Sequence, residues 1–464
     1  MKRLLSFFLL GFSLFAAAQD FSFAKSLYTS YEQYKVEGFN VRRINPNEVH
    51  RSIAHLRATN PMLFNIQRIG ASVEGRPIQM VSFGEGKTNV LLWSQMHGNE
   101  STATRALFDV LNYIAQNQSS PEIKGLLNSL KIHVIPMLNP DGAARFQREN
   151  ALGIDLNRDA LRLVSPEAQL LKRMRDSLNA DYGFNLHDQS RYYNVSQTSK
   201  QASISFLATA YNYEKEMNEK RRDAAQLLGY LNHINELFIP GHTGRYNDDF
   251  EPRAFGDNIQ LWGTRLLLIE TGGFINDVEK ELGRKMNFVL ITAALESIAT
   301  QSFEQVDEAV YWNIPENDRK LFDLKVERIS VNFKGNHYLL DLGINLNESN
   351  ELQGFSVNAS VEDKGDLSTF YGYTTIDASG QKLVVPKVYS RKIGSYEQFL
   401  SLLKQGYGFS SKNRPGQKYA FPMIGTAHSD LEAAYKNATF FIESEGEIKT
   451  AVVNGLIYQL SDIQ

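Results

Sequence analysis

A histidine and a glutamate stand three residues apart in the segment WSQMHGNESTATR, as His97 and Glu100. An imidazole nitrogen and a carboxylate oxygen at this spacing can bind the same small cation, and zinc accepts both kinds of ligand. The pair follows an apolar run that ends at Gln95. Because one such pair arises often by chance, the prediction of a metal site depends on what the other apolar runs carry at their ends.

Four short apolar runs are each followed by side chains that can bind a metal or transfer a proton. Runs of this kind are typical of central strands in a covered sheet. They cover residues 89–95, 131–138, 182–186 and 265–269. The sequences that follow them are HGNE at 97–100, NPDG at 139–142, His187 itself, and ETGG at 270–273. Ligands in open α/β sheets bind outside the carboxyl ends of the strands. If the four strands are parallel neighbours, these groups therefore meet at one edge.

The set of His97, Glu100 and His187 offers two nitrogens and one carboxylate, which leaves room for a water molecule. Three protein ligands and a water are typical of catalytic zinc. Glu270 ends the fourth run and is the predicted general base, which takes a proton from the water and passes it to a leaving amine. His133, inside the second run, is instead expected to be a core histidine.

The segment NPDGAARFQRENALGIDLNR at 139–158 resembles the corresponding stretch of the M14 zinc carboxypeptidases. The HxxE pair, the later strand-end histidine and the glutamate before Gly-Gly resemble the family in the same order. The resemblance covers roughly residues 45–302. It implies the family's fold, a mixed β-sheet flanked by helices, and a single zinc ion.

The resemblance also implies roles for individual residues. His97, Glu100 and His187 match the family's zinc ligands, and Glu270 matches its general base. Arg148 matches the arginine that polarises the scissile carbonyl and stabilises the oxyanion, with Arg145 as a competing candidate. Asn157 and Arg158 match the pair that binds the free C-terminal carboxylate of a peptide, and Tyr246 matches the mobile tyrosine that covers bound substrate.

Three positions depart from the commoner family pattern, and they affect the expected substrate preference more than the zinc chemistry. They are Asn99 between the first two ligands, Asp159 after Arg158, and Asp188 after His187. Side chains between Tyr246 and Glu270 would favour a basic substrate residue if one of them faces the pocket. The candidates are Asp249, Asp257 and Gln260.

The chain alternates between helix and strand patterns up to about residue 302, which predicts an α/β domain. Amphipathic helices are expected at 101–116, 166–178, 201–236 (broken into two) and 277–302. After about residue 305 the pattern predicts β-strands at 325–333, 337–344, 354–361, 382–389, 438–443 and 448–458, with one helix at 396–404. The predicted domains are a catalytic domain at 19–304 and a smaller β-rich accessory domain at 305–464.

Residues 1–18 have the pattern of a signal peptide: Lys2 and Arg3, an apolar core, and Ala16-Ala17-Ala18. We therefore expect an exported, periplasmic or extracellular bacterial protein without a membrane span in the mature chain. The absence of cysteine excludes disulfides and thiolate ligands. A formal net charge of −3 and the lack of a basic block make nucleic acid an unexpected partner.

The leading hypothesis is an exported zinc carboxypeptidase that acts on peptides or peptidoglycan stem peptides with a free C-terminal carboxylate. One alternative is a zinc deacylase or amidase of the aspartoacylase-like branch, which shares the HGNE and DLNR sequences. Another is a catalytically degenerate protein that binds peptides or glycans. The sequence leaves the oligomeric state open.

Overall fold

The structure is a computed structural model that describes residues 20–351, 355–412, 421–426 and 429–462. The predicted signal peptide at 1–18 lies outside these residues. The helices of the first part are α1 (Ser22–Tyr34), α2 (Pro46–Thr59), α3 (Thr102–Asn117), α4 (Pro121–Ser129), α5 (Pro140–Arg145), α6 (Pro166–Leu178), α7 (Glu219–Phe238), α8 (Phe255–Leu261), α9 (Glu281–Thr300) and α10 (Ala309–Trp312). Its strands are β1 (Asn65–Ala71), β2 (Pro77–Phe83), β3 (Thr88–Trp93), β4 (Leu130–Ile135), β5 (Tyr182–Asp188), β6 (Asn194–Val195), β7 (Ile204–Leu207), β8 (Thr243–Arg245), β9 (Arg265–Thr271) and β10 (Asn317–Asp318).

A mixed eight-stranded sheet with the order β1-β2-β4-β3-β5-β9-β7-β8 organises this part. The neighbours β4, β3, β5 and β9 run parallel. They correspond to the four strands predicted from the sequence, whose existence is confirmed, and they meet the condition that the four be parallel neighbours. Their carboxyl ends consequently lie along one edge, where ligands of α/β sheets bind.

Helices cover both faces of this sheet, which confirms the expected fold class. Apolar side chains of α1, α3, α7 and α9 form one core with the sheet. Apolar side chains of α6 and α8, together with Leu156 and Ala160, form a second core on the opposite face. The two-sided burial explains why the central strands are continuous apolar runs rather than alternating ones.

One predicted helix is wrong. Residues 201–236 form β7 and a loop before α7 begins at Glu219. β7 pairs antiparallel with β9 and parallel with β8, so it is an inner strand of the sheet. Its apolar residues Ile204 and Phe206 alternate with Ser205, and pairing with β9 selects the extended form. The other three helices of the first part form within four residues of their predicted starts.

The C-terminal part is rich in β-structure, as predicted. Its strands are β11 (Leu321–Phe333), β12 (Asn336–Asn350), β13 (Phe355–Gly365), β14 (Tyr371–Asp377), β15 (Lys382–Val384), β16 (Lys387–Tyr389), β17 (Tyr407–Ser410), β18 (Ile424–Gly425), β19 (Phe440–Ser444), β20 (Glu447–Val453) and β21 (Leu456–Gln459). Its helices are α11 (Tyr396–Lys404), which matches the prediction, and α12 (Leu431–Lys436), which was not predicted. The main sheet has the order β13-β12-β11-β15-β19-β20-β21, with β14 on β11. The domain boundary at 304/305 stays a prediction.

Within the described ranges, no helix combines the length and apolar character needed to cross a bilayer.

Candidate active site

The three predicted ligands converge at the carboxyl ends of β3 and β5. Glu100 Oε1 lies 2.8 Å from His97 Nδ1, and Glu100 Oε2 lies 2.8 Å from His187 Nδ1. The two Nδ1 atoms are 3.2 Å apart. All three side chains are buried. Among the described residues, this is the group of histidine and carboxylate side chains that could hold a metal ion.

Two glycines allow the loops around this site to touch. A Cβ atom on Gly98 would lie 2.1 Å from the carbonyl carbon of Gly142, so a larger residue at 98 would separate the two backbones. Gly98 N also donates to Arg148 O. Asn139 caps α5 by accepting from Gly142 N at 2.9 Å, and its amide donates to Met96 O at 3.2 Å. The HGNE and NPDG sequences thus bring the loop of Arg148 against the ligand loop.

Glu270 lies next to the ligands because β9 pairs with β5 and places it opposite His187. Its Oε2 atom is buried and has no hydrogen-bond partner among the described residues. Burial, and then the negative charge of Glu100, raise the pKa of Glu270 well above its usual value. A carboxylate with one buried oxygen free of hydrogen bonds, next to a ligand set, is suited to act as a general base.

Arg148 and Asp155 form the wall beside His97. Arg148 Nη1 donates to Glu100 Oε1 at 3.1 Å, and Arg148 Nε donates to Asp155 Oδ2 at 3.1 Å. Asp155 Oδ1 accepts from His97 Nε2 at 2.9 Å. Burial alone would lower the pKa of His97, but Glu100 and the hydrogen bond to Asp155 raise it to about 9. The competing candidate Arg145 instead contacts Glu74, away from the ligands.

Asp155 is a site residue that was not singled out from the sequence. It stands two residues before Asn157 in the DLNR sequence, so the motif contained the signal. Its contact with His97 spans 58 positions of the chain, and only folding brings the two together.

Asn157 and Arg158 lie on the short helical turn Leu156–Arg158. Asn157 Oδ1 accepts from Phe255 N at 2.8 Å, which ties this turn to the start of α8. Arg158 is exposed, and its Nε is 3.6 Å from Glu251 Oε2. The guanidinium can therefore reach an anionic ligand from solvent.

Tyr246 directly follows β8 and is half-buried. Its backbone N–H donates to Phe206 O, and its ring centroid lies 5.6 Å from that of Tyr193. Burial, and then the charge of Glu270, raise the pKa of its hydroxyl above its usual value. The structure therefore brings Tyr246 close to the predicted base.

The candidate specificity residues have different surroundings. Asp249 is exposed and forms an ion pair with Lys215 at 2.6 Å. Gln260 Oε1 accepts from Leu266 N, so it faces β9. Asp257 is buried, accepts from Glu251 N at 3.0 Å, and has a pKa that burial raises to about 7. Of the three, only Asp257 has a buried carboxylate. The positive charge of Arg158 is near enough to lower the pKa of Asp257 in part.

The departures from the family pattern also have local roles. Asp159 accepts from Val164 N and Ser165 N and stabilises the loop before α6. Asp188 N donates to Glu100 Oε2 at 3.1 Å, while its carboxylate accepts from Thr102 and lies 3.5 Å from Lys280 Nζ. Asn99 is exposed.

The side chains at this edge fit a zinc ion. Two imidazole nitrogens and a carboxylate face one another, and His187 Nε2 and Glu270 Oε2 are buried without a partner among the described residues. Nitrogen and oxygen donors of this kind are those of catalytic zinc sites, and a carboxylate on the far nitrogen of a ligand histidine orients it. The class of protein defined here is therefore a mixed α/β fold with a candidate zinc site of two histidines and one carboxylate at the strand ends.

Comparison with known proteins agrees with this class. Residues 49–218 match the family model Peptidase_M14, described as zinc carboxypeptidase. Over these residues the chain is similar to the M14 zinc carboxypeptidases, a family that uses one zinc ion. The matched segment contains the three ligands, Arg148 and the Asn157–Arg158 pair, whereas Tyr246 and Glu270 lie beyond it.

Curated relatives and solved structures were also found. Carboxypeptidase E of Caenorhabditis elegans is 33% identical over 136 residues, which are 25% of this chain and 29% of that protein. Carboxypeptidase A2 of Mus musculus is 31% identical over 108 residues, 23% of this chain and 26% of that protein. The chain thus spans under a third of the length of these relatives. A metallo-carboxypeptidase structure from Burkholderia cenocepacia is 18% identical in sequence and has a TM-score of 0.43. The match covers 55% of this chain and 68% of that chain.

Proposed function

We propose that this protein is an exported zinc carboxypeptidase that hydrolyses the C-terminal peptide bond of peptides or peptidoglycan stem peptides. The observation that carries the proposal is the buried group of His97, Glu100 and His187, with the buried and unpaired Oε2 atom of Glu270 beside it. The signal-peptide pattern of residues 1–18 supports export.

His97 and His187 would hold the ion through Nδ1, and Glu100 through its carboxylate. A zinc ion held by these residues would act as a Lewis acid toward the scissile carbonyl and would make a water molecule nucleophilic near neutral pH. The carboxylate of Asp155, 2.9 Å from His97 Nε2, would hold the imidazole proton on that nitrogen and leave Nδ1 to bind the metal. Arg148 is held between Glu100 and Asp155, where it can donate to the oxygen of the scissile carbonyl as negative charge develops.

Glu270 accepts one proton from the attacking water as the new carbon–oxygen bond forms. It then gives that proton to the amine nitrogen as the carbon–nitrogen bond breaks, so the products are a shortened peptide and a free amino acid. Arg158 binds the terminal carboxylate of the substrate, since a planar guanidinium matches a carboxylate with two hydrogen bonds. Asn157 and Tyr246 complete the contacts with the substrate end.

The exopeptidase character can be tested with one peptide prepared with a free and an amidated C-terminus. Mass spectrometry of the products should show stepwise loss of C-terminal residues from the free form only. Equal cleavage of both forms would contradict a carboxypeptidase and favour the deacylase or amidase hypothesis. A digest of a peptide library that includes D-amino-acid stem peptides would separate peptide from peptidoglycan substrates.

The role of Glu270 can be tested with Glu270→Gln. This variant should keep zinc, measured by metal analysis, and lose about 10²- to 10⁴-fold in turnover because general-base catalysis is removed. Glu122→Gln, on the first turn of α4 far from the site, is the matched control. Near-normal turnover of Glu270→Gln would remove this residue from the mechanism.

A further inference from the structure

A cavity of about 400 Å³ lies between the first part of the chain and the C-terminal sheet. One wall is the loop of residues 273–280 after β9, and the other is formed by β11, β12, β14 and the β20–β21 turn. Apolar side chains line it from both sides, and these are Phe274, Ile275, Val278, Leu324, Leu346, Leu456 and Ile457. Ligand pockets of proteins have volumes in this range and mostly apolar linings.

Three of these apolar side chains are unusually exposed. Ile275 and Val278, in the loop after β9, are 45% and 56% exposed, and Leu456, from the C-terminal sheet, is 47% exposed. Isolated exposed apolar residues are common, but a rim of them around a cavity is typical of a binding site.

The charged side chains around the cavity are neutralised by partners. The ion pairs are Arg42–Glu348, Arg191–Asp323 and Lys280–Asp188. The carboxylate of Asp277 accepts from Glu281 N at 2.7 Å and from Leu282 N at 2.9 Å. Since an ionic ligand would have to break these pairs, the cavity suits uncharged, apolar groups.

The cavity and the predicted carboxylate-binding residues lie over opposite faces of the first sheet. Asn157 and Arg158 follow Leu156, which packs with Phe255 in the second core. The loop at 273–280 leads into α9, which packs in the first core. The ligand group lies between them, at the strand ends. In the proposed binding mode, a peptide held by its C-terminus at Arg158 would cross the ligand group and continue toward the cavity.

The C-terminal part also contacts the catalytic loops at a second place. Asn350 Nδ2, at the end of β12, donates to Phe146 O at 2.9 Å. The rings of Phe146 and Phe355 meet with their centroids 5.2 Å apart. Phe146 stands two residues before Arg148, so the β12–β13 hairpin lies against the loop that carries this arginine. The C-terminal sheet thus borders the site at two points.

We propose that this cavity is a subsite for apolar, uncharged side chains upstream of the scissile bond, with one wall supplied by the β-rich part. The proposal rests on the carboxypeptidase function proposed above, because that function sets the direction of the bound peptide. It gives the C-terminal sheet a role in substrate selection. Transfer of one large apolar side chain from water into such a cavity corresponds to about a tenfold gain in affinity.

The test measures binding, using zinc-loaded Glu270→Gln protein and isothermal titration calorimetry. The ligands share their last two residues: an acetylated dipeptide, a hexapeptide with Leu and Phe upstream, and a hexapeptide with Ser and Gly upstream. We expect the apolar hexapeptide to bind about tenfold more tightly than the other two. In Ile275→Asp and in Leu456→Asp this ratio should fall to about 1. Leu339→Asp, at a site on β12 that is 68% exposed and outside the cavity lining, should leave the ratio unchanged.

Three results would contradict the proposed subsite. The Glu270→Gln protein could bind all three peptides equally, it could bind none of them, or the affinity ratio could stay the same in both cavity variants. The subsite would also be contradicted if the protein were a dimer that dissociates in Leu456→Asp while the affinity ratio is unchanged. The exposed apolar residues would then belong to an interface with a second copy of the chain. The proposed function fails separately. If Glu270-containing protein cleaves no peptide but the binding ratio falls to about 1 in the cavity variants, the cavity still binds apolar peptide side chains and only the carboxypeptidase function fails.

Discussion

His97 Nε2 donates to Asp155 Oδ1 at 2.9 Å, on the side of the imidazole opposite the other ligands. The same carboxyl group accepts from Arg148 through its second oxygen. One carboxylate therefore orients both a predicted metal ligand and the predicted oxyanion arginine. Partners of this kind fix the tautomer and ring orientation of a ligand histidine.

Asp155→Asn should lower zinc affinity about 10- to 100-fold, because the neutral amide orients His97 less firmly and stabilises its ligand form less. Competition with a chromogenic chelator measures the affinity directly. Asp366→Asn, at an exposed turn of the C-terminal part, is the control and should bind zinc as the parent does. Unchanged zinc affinity in Asp155→Asn would show that the contact is not needed to orient the ligand.

Arg158→Lys should raise KM for peptides with a free C-terminus by about tenfold or more. Lysine keeps the positive charge but cannot form the paired hydrogen bonds that a guanidinium makes with a carboxylate. Steady-state kinetics on peptides with free and amidated C-termini measure the selectivity as the ratio of their kcat/KM values. This ratio should be smaller for Arg158→Lys than for the parent. Arg145→Lys is the matched control, since Arg145 contacts Glu74 rather than the site. Unchanged selectivity in Arg158→Lys would contradict the role of Arg158 in binding the terminal carboxylate.

Asp109→Asn should destabilise the fold by about 3 to 5 kcal/mol. Asp109 and Arg284 are fully buried and share two hydrogen bonds of 2.7 Å, and removal of one charge leaves the other buried without its partner. Urea unfolding followed by circular dichroism measures the difference. Asp176→Asn breaks the surface contact with Lys172 and should change stability by less than about 1 kcal/mol. Equal effects of the two variants would contradict the buried-pair argument.

Stability should fall as the pH is lowered from about 6.5 to 4, in part because of His133. This histidine is buried in β4, as expected from the sequence, with Nδ1 2.8 Å from Ser82 Oγ. Burial lowers its pKa to about 4. The unfolded chain therefore binds a proton at a pH where the folded chain does not, and protonation favours unfolding.

His133→Gln should consequently show a smaller loss of stability between pH 7 and pH 4.5 than the parent, by about 2 kcal/mol. Urea midpoints at the two pH values provide the comparison. Exposed His337 can be changed to Gln as a control that keeps the parent's pH dependence. An identical pH dependence in His133→Gln would mean that other groups account for the effect.

The central strands and most helices could be predicted because their patterns are local. A run such as residues 265–269 is apolar on both faces, and only a covered inner strand satisfies it. Residues 201–236 show the limit of this reasoning. The segment of β7 is short enough to fit either a strand or a helix, and its pairing with β9 is a long-range contact that local spacing does not record.

The sequence by itself determined the types of the reactive residues and their positions at strand ends. His97, Glu100, His187 and Glu270 could be named because parallel neighbouring strands end at one edge. Only the tertiary structure decided which groups support them. The contact of Asp155 with His97, the approach of Gly98 to Gly142, and the cavity between residues 273–280 and the C-terminal sheet all join segments far apart in the chain. Such contacts depend on the packing of whole layers, which no local pattern specifies.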